Sequence, residues 1–171
     1  GFTGNLLFRD SEKRGPDSLP GALADPRLRV CLLAERSFLT TGPDDAPDAF
    51  FDRAGAQALG ADMAEAVLLG HHRDDGAPVV VATAPMPPEG TSGVRAMDLR
   101  GLAMSGVLKS EDEGTLGQAQ HLLYWNRRTR HCGVCGGKTE TEAGGLRRRC
   151  TACGEMFFPR TDPVVIMLVH D

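Results

Sequence analysis

Two short cysteine pairs, Cys132-Gly133-Val134-Cys135 and Cys150-Thr151-Ala152-Cys153, constrain this chain more than any other feature. Each is followed directly by glycine, Gly136 and Gly154, and residues 136–149 separate them. A Cys-x-x-Cys turn points both sulfurs to one side, and a following glycine lets the backbone fold back so that its amides approach the thiolates. Gly144-Gly145 lies where a hairpin would turn to bring the second pair onto the first.

Two such knuckles close one tetrahedral thiolate site, the arrangement of a zinc ribbon, with Cys132, Cys135, Cys150 and Cys153 as ligands to one zinc per chain. Four thiolates leave no open coordination position, so the expected zinc is structural and does not activate water. Such a site contributes on the order of 10 kcal/mol of apparent binding free energy, so losing one ligand should unfold the module locally. A redox-active disulfide and four plain thiols are the rival readings.

The length of 171 residues suits one ordinary domain plus a small module, and the net charge of −4 does not by itself point to nucleic acid or membrane. No apolar run reaches the roughly 20 residues needed to span a bilayer, so no membrane partner is expected. The start, Gly1-Phe2-Thr3-Gly4-Asn5, has neither the basic head nor the apolar stretch of a secretory signal. The fifth cysteine, Cys31, stands alone in an apolar stretch, which an even disulfide framework would not leave over. A cytoplasmic location is expected, with Cys31 a small buried hydrophobe.

Upstream of the cysteines, apolar runs alternate with turn signals, which predicts a mixed α/β domain. Arg29 to Ala34, Phe50-Phe51, Ala66 to Gly70 and Pro78 to Thr83 are strand candidates, and Asp74-Asp75-Gly76 should turn the last two into a hairpin. Short helices are expected near Ser18 to Ala24 and from Asp52 to Ala64. After the Pro85 to Gly90 loop a strand-like region runs to about Leu108, and a helix from Thr115 to about Arg128 delivers the chain to Cys132. Thr115 and Gln118 have capping-box spacing there.

Beyond the second knuckle, Met156-Phe157-Phe158-Pro159-Arg160-Thr161-Asp162-Pro163 leads into the strand-like run Val164 to Val169. Together with Trp125-Asn126-Arg127-Arg128 and the two knuckles, this segment closely resembles the NADH pyrophosphatase family of Nudix hydrolases. Gly4-Asn5-Leu6-Leu7, Arg9 and Ser11-Glu12-Lys13-Arg14 are also similar to the opening of that family. The resemblance implies an α+β protein: an N-terminal mixed α/β domain, a four-cysteine zinc ribbon and the first strand of a Nudix domain. The division is residues 1–110 for the N-terminal domain, 111–129 for a connecting helix, 130–158 for the ribbon and 159–171 for the start of a truncated Nudix domain.

The implied activity is cleavage of the pyrophosphate of NADH or NAD to nicotinamide mononucleotide and AMP, and in some members removal of an NAD cap from RNA. Clustered carboxylates holding magnesium or manganese would neutralise the pyrophosphate and orient the attacking water. The Nudix signature that supplies them is not in the sequence; Glu111-Asp112-Glu113 is the densest acidic cluster and has no Arg-Glu pair beside it. This chain alone is therefore expected to be inactive. A homodimer is implied by family habit.

The resemblance places Phe158 beside the bound nucleotide, against the plainer reading that Phe157 and Phe158 pack the ribbon on the next domain. Arg127, Arg128 and Arg130 before the first knuckle, and Arg147, Arg148 and Arg149 before the second, concentrate positive charge. They would either answer the negative tetrathiolate zinc or bind phosphate or RNA backbone. Tyr124 and Trp125 read as packing or subunit-interface residues, His71 and His72 as surface residues, and His131 as an outer neighbour of the zinc. The competing reading for the whole is a zinc-ribbon binding module for RNA or a protein partner, without enzymatic activity.

Overall fold

The computed structural model describes residues 4–88, 90, 91, 93–160 and 166–169. Its larger sheet is built from β1 (Arg29–Ala34), β2 (Ser37–Thr40), β3 (Phe50–Phe51), β4 (Asp62–His71), β5 (Pro78–Thr83) and β6 (Arg95–Asp98). The spatial order is β4-β5-β1-β2-β6, with β3 pairing with β1. β1 and β5 run parallel and the other pairs antiparallel. Successive side chains of a strand face opposite sides, and both sides of β1 are apolar. Cys31 and Leu33 join one core with Phe38, Val67, Leu69 and Val81; Val30, Leu32 and Ala34 join another with Leu39, Leu68 and Val80.

Helices cover both faces. α3 (Leu99–Ser105) and α4 (Ser110–Arg128) supply Leu102, Leu116, Ala119, Leu122 and Leu123 to the first core, while α1 (Ser18–Ala24) and α2 (Arg53–Ala58) supply Ala22 and Ala56 to the second. A sheet buried on both faces calls for strands that are apolar throughout, which the Val79-Val80-Val81 run satisfies. Cys31 is fully buried, and that burial pushes its thiol far above the ordinary range, so it acts as a small hydrophobe.

The outer edge of β4 would expose unpaired backbone groups, and the N-terminal segment covers them. Phe8 exchanges backbone hydrogen bonds with His71 at 2.8 and 2.9 Å. Arg14 donates to the carbonyls of Leu68 and Leu69 at 2.5 and 3.0 Å, and Gln118 Nε2 donates to Leu69 O at 3.0 Å. Asn5 in turn donates to Gln118 Oε1 at 2.6 Å. Burial lowers Arg14 to about 10, the cost of placing a guanidinium against a strand edge. Gly70 has no side chain because a Cβ there would lie 2.7 Å from Phe8 O.

Several expectations change at element ends. α2 stops at Ala58, not Ala64: Asp52 caps it by accepting from Gly55 N at 2.7 Å, Gly60 at φ +75° ends the turn, and Asp62 already belongs to β4. The strand-like region after Gly90 is β6 alone, because Asp98 accepts from Gly101 N at 2.9 Å and starts α3. α4 begins at Ser110, so Thr115 is inside the helix with its Oγ1 donating to Glu111 O at 2.9 Å; it does not cap. β2 had no forecast at all. Ile166–Val169 is irregular and exposed here, not a strand, and Val164 and Val165 lie outside the described residues.

The Asp74-Asp75-Gly76 turn does join β4 to β5, with Gly76 at φ +69°. Asp75 accepts from Ala77 N at 2.9 Å and pairs with Arg29 at 2.7 Å. The Ala77 hydrogen bond is the main cause that holds its carboxyl below the usual range; burial opposes it, and the charges of Arg29, His72 and Arg27 add smaller lowering effects. A carboxyl lowered on folding stabilises above its unfolded pKa and loses that contribution as pH falls through the folded one. Asp75→Asn should therefore lower Tm at pH 7, with the gap closing below about pH 4. Thermal unfolding of both proteins across that range checks it.

Candidate metal centre and adjoining groove

β7 (Thr139–Glu142), β8 (Arg147–Cys150) and β9 (Met156–Phe157) form a second sheet in the order β7-β8-β9. A 3-10 turn at Ala143–Gly145 connects the first two, with Gly144 and Gly145 at φ +64° and +96°, where the glycine pair was expected to turn the chain. Antiparallel pairing of β7 with β8 sets Cys150 opposite Thr139 and close to the first knuckle.

The two knuckles repeat one geometry. Cys132 N donates to Gly137 O at 2.8 Å and Gly136 N to Cys132 O at 2.9 Å; Cys150 N donates to Glu155 O at 2.8 Å and Gly154 N to Cys150 O at 3.1 Å. Gly136 and Gly154 adopt φ +75° and +79°, a conformation that other residues take only with strain. Backbone amides reach the sulfurs as expected: Val134 N donates to Cys132 Sγ at 3.4 Å, and Cys153 N to Cys150 Sγ at 3.5 Å.

All four Sγ atoms lie within 4.8 Å of one another, with Cys132 to Cys153 at 3.6 Å and Cys135 to Cys150 at 3.5 Å. Tetrahedral zinc with arms of about 2.3 Å would set its sulfurs about 3.8 Å apart, so the donor set fits that ion. The protonation preferences agree. The amide of Cys153 draws the Cys150 thiol down to about 6. The amide of Glu155 favours the Cys153 thiolate, but the sulfurs of Cys135, Cys150 and Cys132 and burial outweigh it and push that thiol up to about 12. Four sulfurs this close cannot all ionise without a cation among them.

A polar cluster ties this module to the larger domain. Asn126, buried on α4, donates to Leu122 O at 3.0 Å and across to Gly145 O at 2.9 Å. Its Oδ1 accepts from Arg148 Nη1 at 3.2 Å. Arg148 is also buried and donates to Thr139 Oγ1, Thr139 O and Thr141 Oγ1 at 2.8, 2.7 and 2.6 Å. Thr139 Oγ1 in turn donates a short hydrogen bond to Thr129 O. A Cβ on Gly145 would lie 2.6 Å from Val67 Cγ1, so the turn approaches β4 at backbone distance.

The arginines before the second knuckle are therefore engaged within the protein. Arg148 is bound by neutral oxygens, and Arg147 and Arg149 grip Glu142 at 2.7 and 2.8 Å. Of the first group, Arg130 pairs with Glu65 at 3.2 Å and Arg128 lies 4.1 Å over the Tyr124 ring, while Arg127 is exposed. His131 and Lys138 pair through the backbone in an isolated antiparallel bridge. Asn126 and Arg148 were missed as a joint, although period-two alternation back from Cys150 puts Arg148 on the inward face of β8.

Phe158 is 56% exposed. It lines a groove of about 700 Å³ between the N-terminal segment, α4 and the ribbon, with Arg9, Arg14, Gln118, His121 and Arg147. Phe157, in β9, is half-buried. Among the described residues the four cysteines form the one group of three or more His, Cys, Asp or Glu side chains close enough to hold a metal, and no helix is long and apolar enough to cross a membrane.

A two-faced α/β domain carrying a tetrathiolate ribbon is thus the class of protein. Residues 23–125 match the family model described as NADH pyrophosphatase-like rudimentary NUDIX domain, and residues 127–158 match that of the NADH pyrophosphatase zinc ribbon domain. The chain belongs to the NADH pyrophosphatase family of Nudix proteins. It is 46% identical over 57 residues to Nudix hydrolase 19, chloroplastic, of Arabidopsis thaliana, covering 32% of this chain and 13% of that protein. It is 39% identical over 70 residues to the NAD-capped RNA hydrolase NUDT12 of Homo sapiens, covering 36% and 15%. With the NAD-capped RNA hydrolase NudC of Deinococcus radiodurans the identity is 33% over 89 residues, covering 52% and 31%. The matched segments thus span well under half the length of these relatives.

Elemental analysis should give one zinc per chain. Cys150→Ser should abolish retention and loosen residues 130–158 to amide exchange while the large sheet stays protected. Asn126→Ala leaves Gly145 O and part of Arg148 without a buried partner, which should cost about 1–3 kcal/mol and speed zinc release to a chelator without changing the zinc count.

Proposed function

We propose that this chain is the N-terminal and zinc-ribbon portion of a Nudix hydrolase that cleaves the pyrophosphate of NADH or NAD to nicotinamide mononucleotide and AMP and removes the NAD cap from RNA. The observation that carries the reading is the tandem match to both NADH pyrophosphatase models over residues 23–158, on a fold whose four sulfurs converge. The human and Deinococcus relatives are NAD-capped RNA hydrolases, which supports the substrate class.

Cys132, Cys135, Cys150 and Cys153 hold one structural zinc in this reading. A closed tetrathiolate site offers no position for water, so it contributes folding energy and not a nucleophile. Magnesium or manganese serves the hydrolysis, held by carboxylates outside these 171 residues. Phe158, exposed over its groove, stacks on a ring of the dinucleotide. The protein works as a cytoplasmic homodimer, and its parts divide as residues 1–110, 111–129, 130–158 and 159–171.

The non-enzymatic binding module is the weaker alternative, because of the six arginines it would use, Arg147, Arg148 and Arg149 are committed to Glu142, Thr139, Thr141 and Asn126, and Arg130 pairs with Glu65. The test is enzymatic. The 171-residue chain with magnesium should release no AMP from NADH, whereas the protein extended by a Nudix domain should do so, and Phe158→Ala in that protein should raise KM for NADH. Turnover by the short chain would place catalysis elsewhere.

A further inference from the structure

The groove beneath Phe158 does not end at the ribbon. His121 lines it and also lines a second groove, of about 880 Å³, that continues along α4 past Tyr124, Arg127 and Arg128 to Arg36. His121, Tyr124 and Arg128 lie on successive turns of one helix face, so from His121 to Arg128 the surface advances about 10 Å.

We propose that this second groove binds the first unpaired nucleotides of an RNA whose 5′ end lies at Phe158. The proposal rests on the reading of the protein as a hydrolase of NAD-capped RNA, and it assigns a site for the RNA body that the dinucleotide alone does not require. Tyr124 is 54% exposed, with the Arg128 guanidinium 4.1 Å from its ring centroid. An unstacked base can lie on such a platform irrespective of its sequence. Arg36 and Arg127 are exposed, and no hydrogen bond or ion pair engages either side chain among the described residues, so both remain available to phosphates. Glu35 is the one carboxylate lining this groove, whereas the chain as a whole carries −4; the positive charge here is local.

The chemistry selects single-stranded RNA over other occupants. A duplex hides the faces of its bases, so it could use the arginines but not Tyr124. A protein partner docking through an apolar surface would want large exposed aliphatic side chains, and this groove offers aromatic and guanidinium planes with Leu33 and Leu123 nearly buried beneath them.

The test uses the 171-residue chain and a fluorescein-labelled, uncapped 12-nucleotide single-stranded RNA, read by anisotropy over a salt series. Tyr124→Ala should weaken binding about ten-fold and Tyr124→Phe should restore it. Arg127→Ala/Arg128→Ala should reduce the salt slope by about 0.7 per arginine. Arg53→Ala/Arg73→Ala, which removes equal charge elsewhere on the surface, should change neither. Zinc content and circular dichroism confirm that each variant is folded. In the protein extended by its Nudix domain, Tyr124→Ala should raise KM for NAD-capped RNA and leave NADH turnover unchanged.

Wild-type RNA binding by Tyr124→Ala, equal affinity for the duplex, or an equal loss in the Arg53/Arg73 control would overturn the proposal. So would a change in sedimentation with Tyr124→Ala and none in RNA binding, which would make the groove a contact between copies of the chain. Failure of the extended protein to hydrolyse either NADH or capped RNA would instead sink the enzymatic reading, and the anisotropy result would still decide the groove.

Discussion

The hydrogen bond from Asn126 to Gly145 O is the joint on which the arrangement of this chain depends. The sheet domain has its own two apolar cores, and the ribbon is organised about four sulfurs. Apart from chain connectivity, their mutual position rests on this buried amide and the buried Arg148 guanidinium, on Leu146 packed against the first core, on the close approach of Gly144 and Gly145 to Leu68 and Val67, and on the exposed Arg130–Glu65 pair. Buried polar groups are costly unless every donor and acceptor is matched. Here the matching partners belong to α4, β7, β8 and the turn between them, so the satisfied network admits few alternative dockings.

That geometry explains why a structural metal can matter to a site that it does not touch. The zinc site fixes the knuckles, the knuckles fix the β7-β8 register, and β8 carries Arg148 at the joint and pairs with β9 just before Phe158. Arg148 is a buried cation with no carboxylate in hydrogen-bond reach among the described residues; its charge is met by the oxygens of Thr139, Thr141 and Asn126. A tetrathiolate zinc beside it would add a net negative field of the right sign. Metal and joint therefore stabilise the same conformation.

The sequence was most legible where backbone chemistry leaves few options. Cys-x-x-Cys-Gly repeated across a Gly-Gly turn has one compact solution, and the sulfurs converge as that pattern requires. Asp74-Asp75-Gly76 between β-branched runs likewise had one reading, and β1, β3 and β5 stand where their apolar composition put them. Element ends were harder to read, because they are set by single side chains whose partners are local but not periodic. Asp52 and Asp98 each cap a helix, while Gly60 and Gly106 close one in left-handed conformations; none of them disturbs the apolar pattern. β2 escaped notice because four residues are too few to show a period, although three of them are buried.

The arginines show a different limit. Six of them flank the cysteines, and in the sequence they are equivalent; in the fold they divide by the direction their backbone gives them. Those on β8 alternate between the joint and Glu142, because a strand sends successive side chains to opposite faces and both faces here hold acceptors. Those at the end of α4 project from a helix whose apolar face is already used against the sheet, which leaves Arg127 and Arg128 on the outside with Tyr124. Charge near a metal is thus not one feature with one meaning. Arg148 holds the ribbon to α4 and Arg147 and Arg149 brace it internally on Glu142, while Arg127 and Arg128 are the pair that the proposed RNA groove would use.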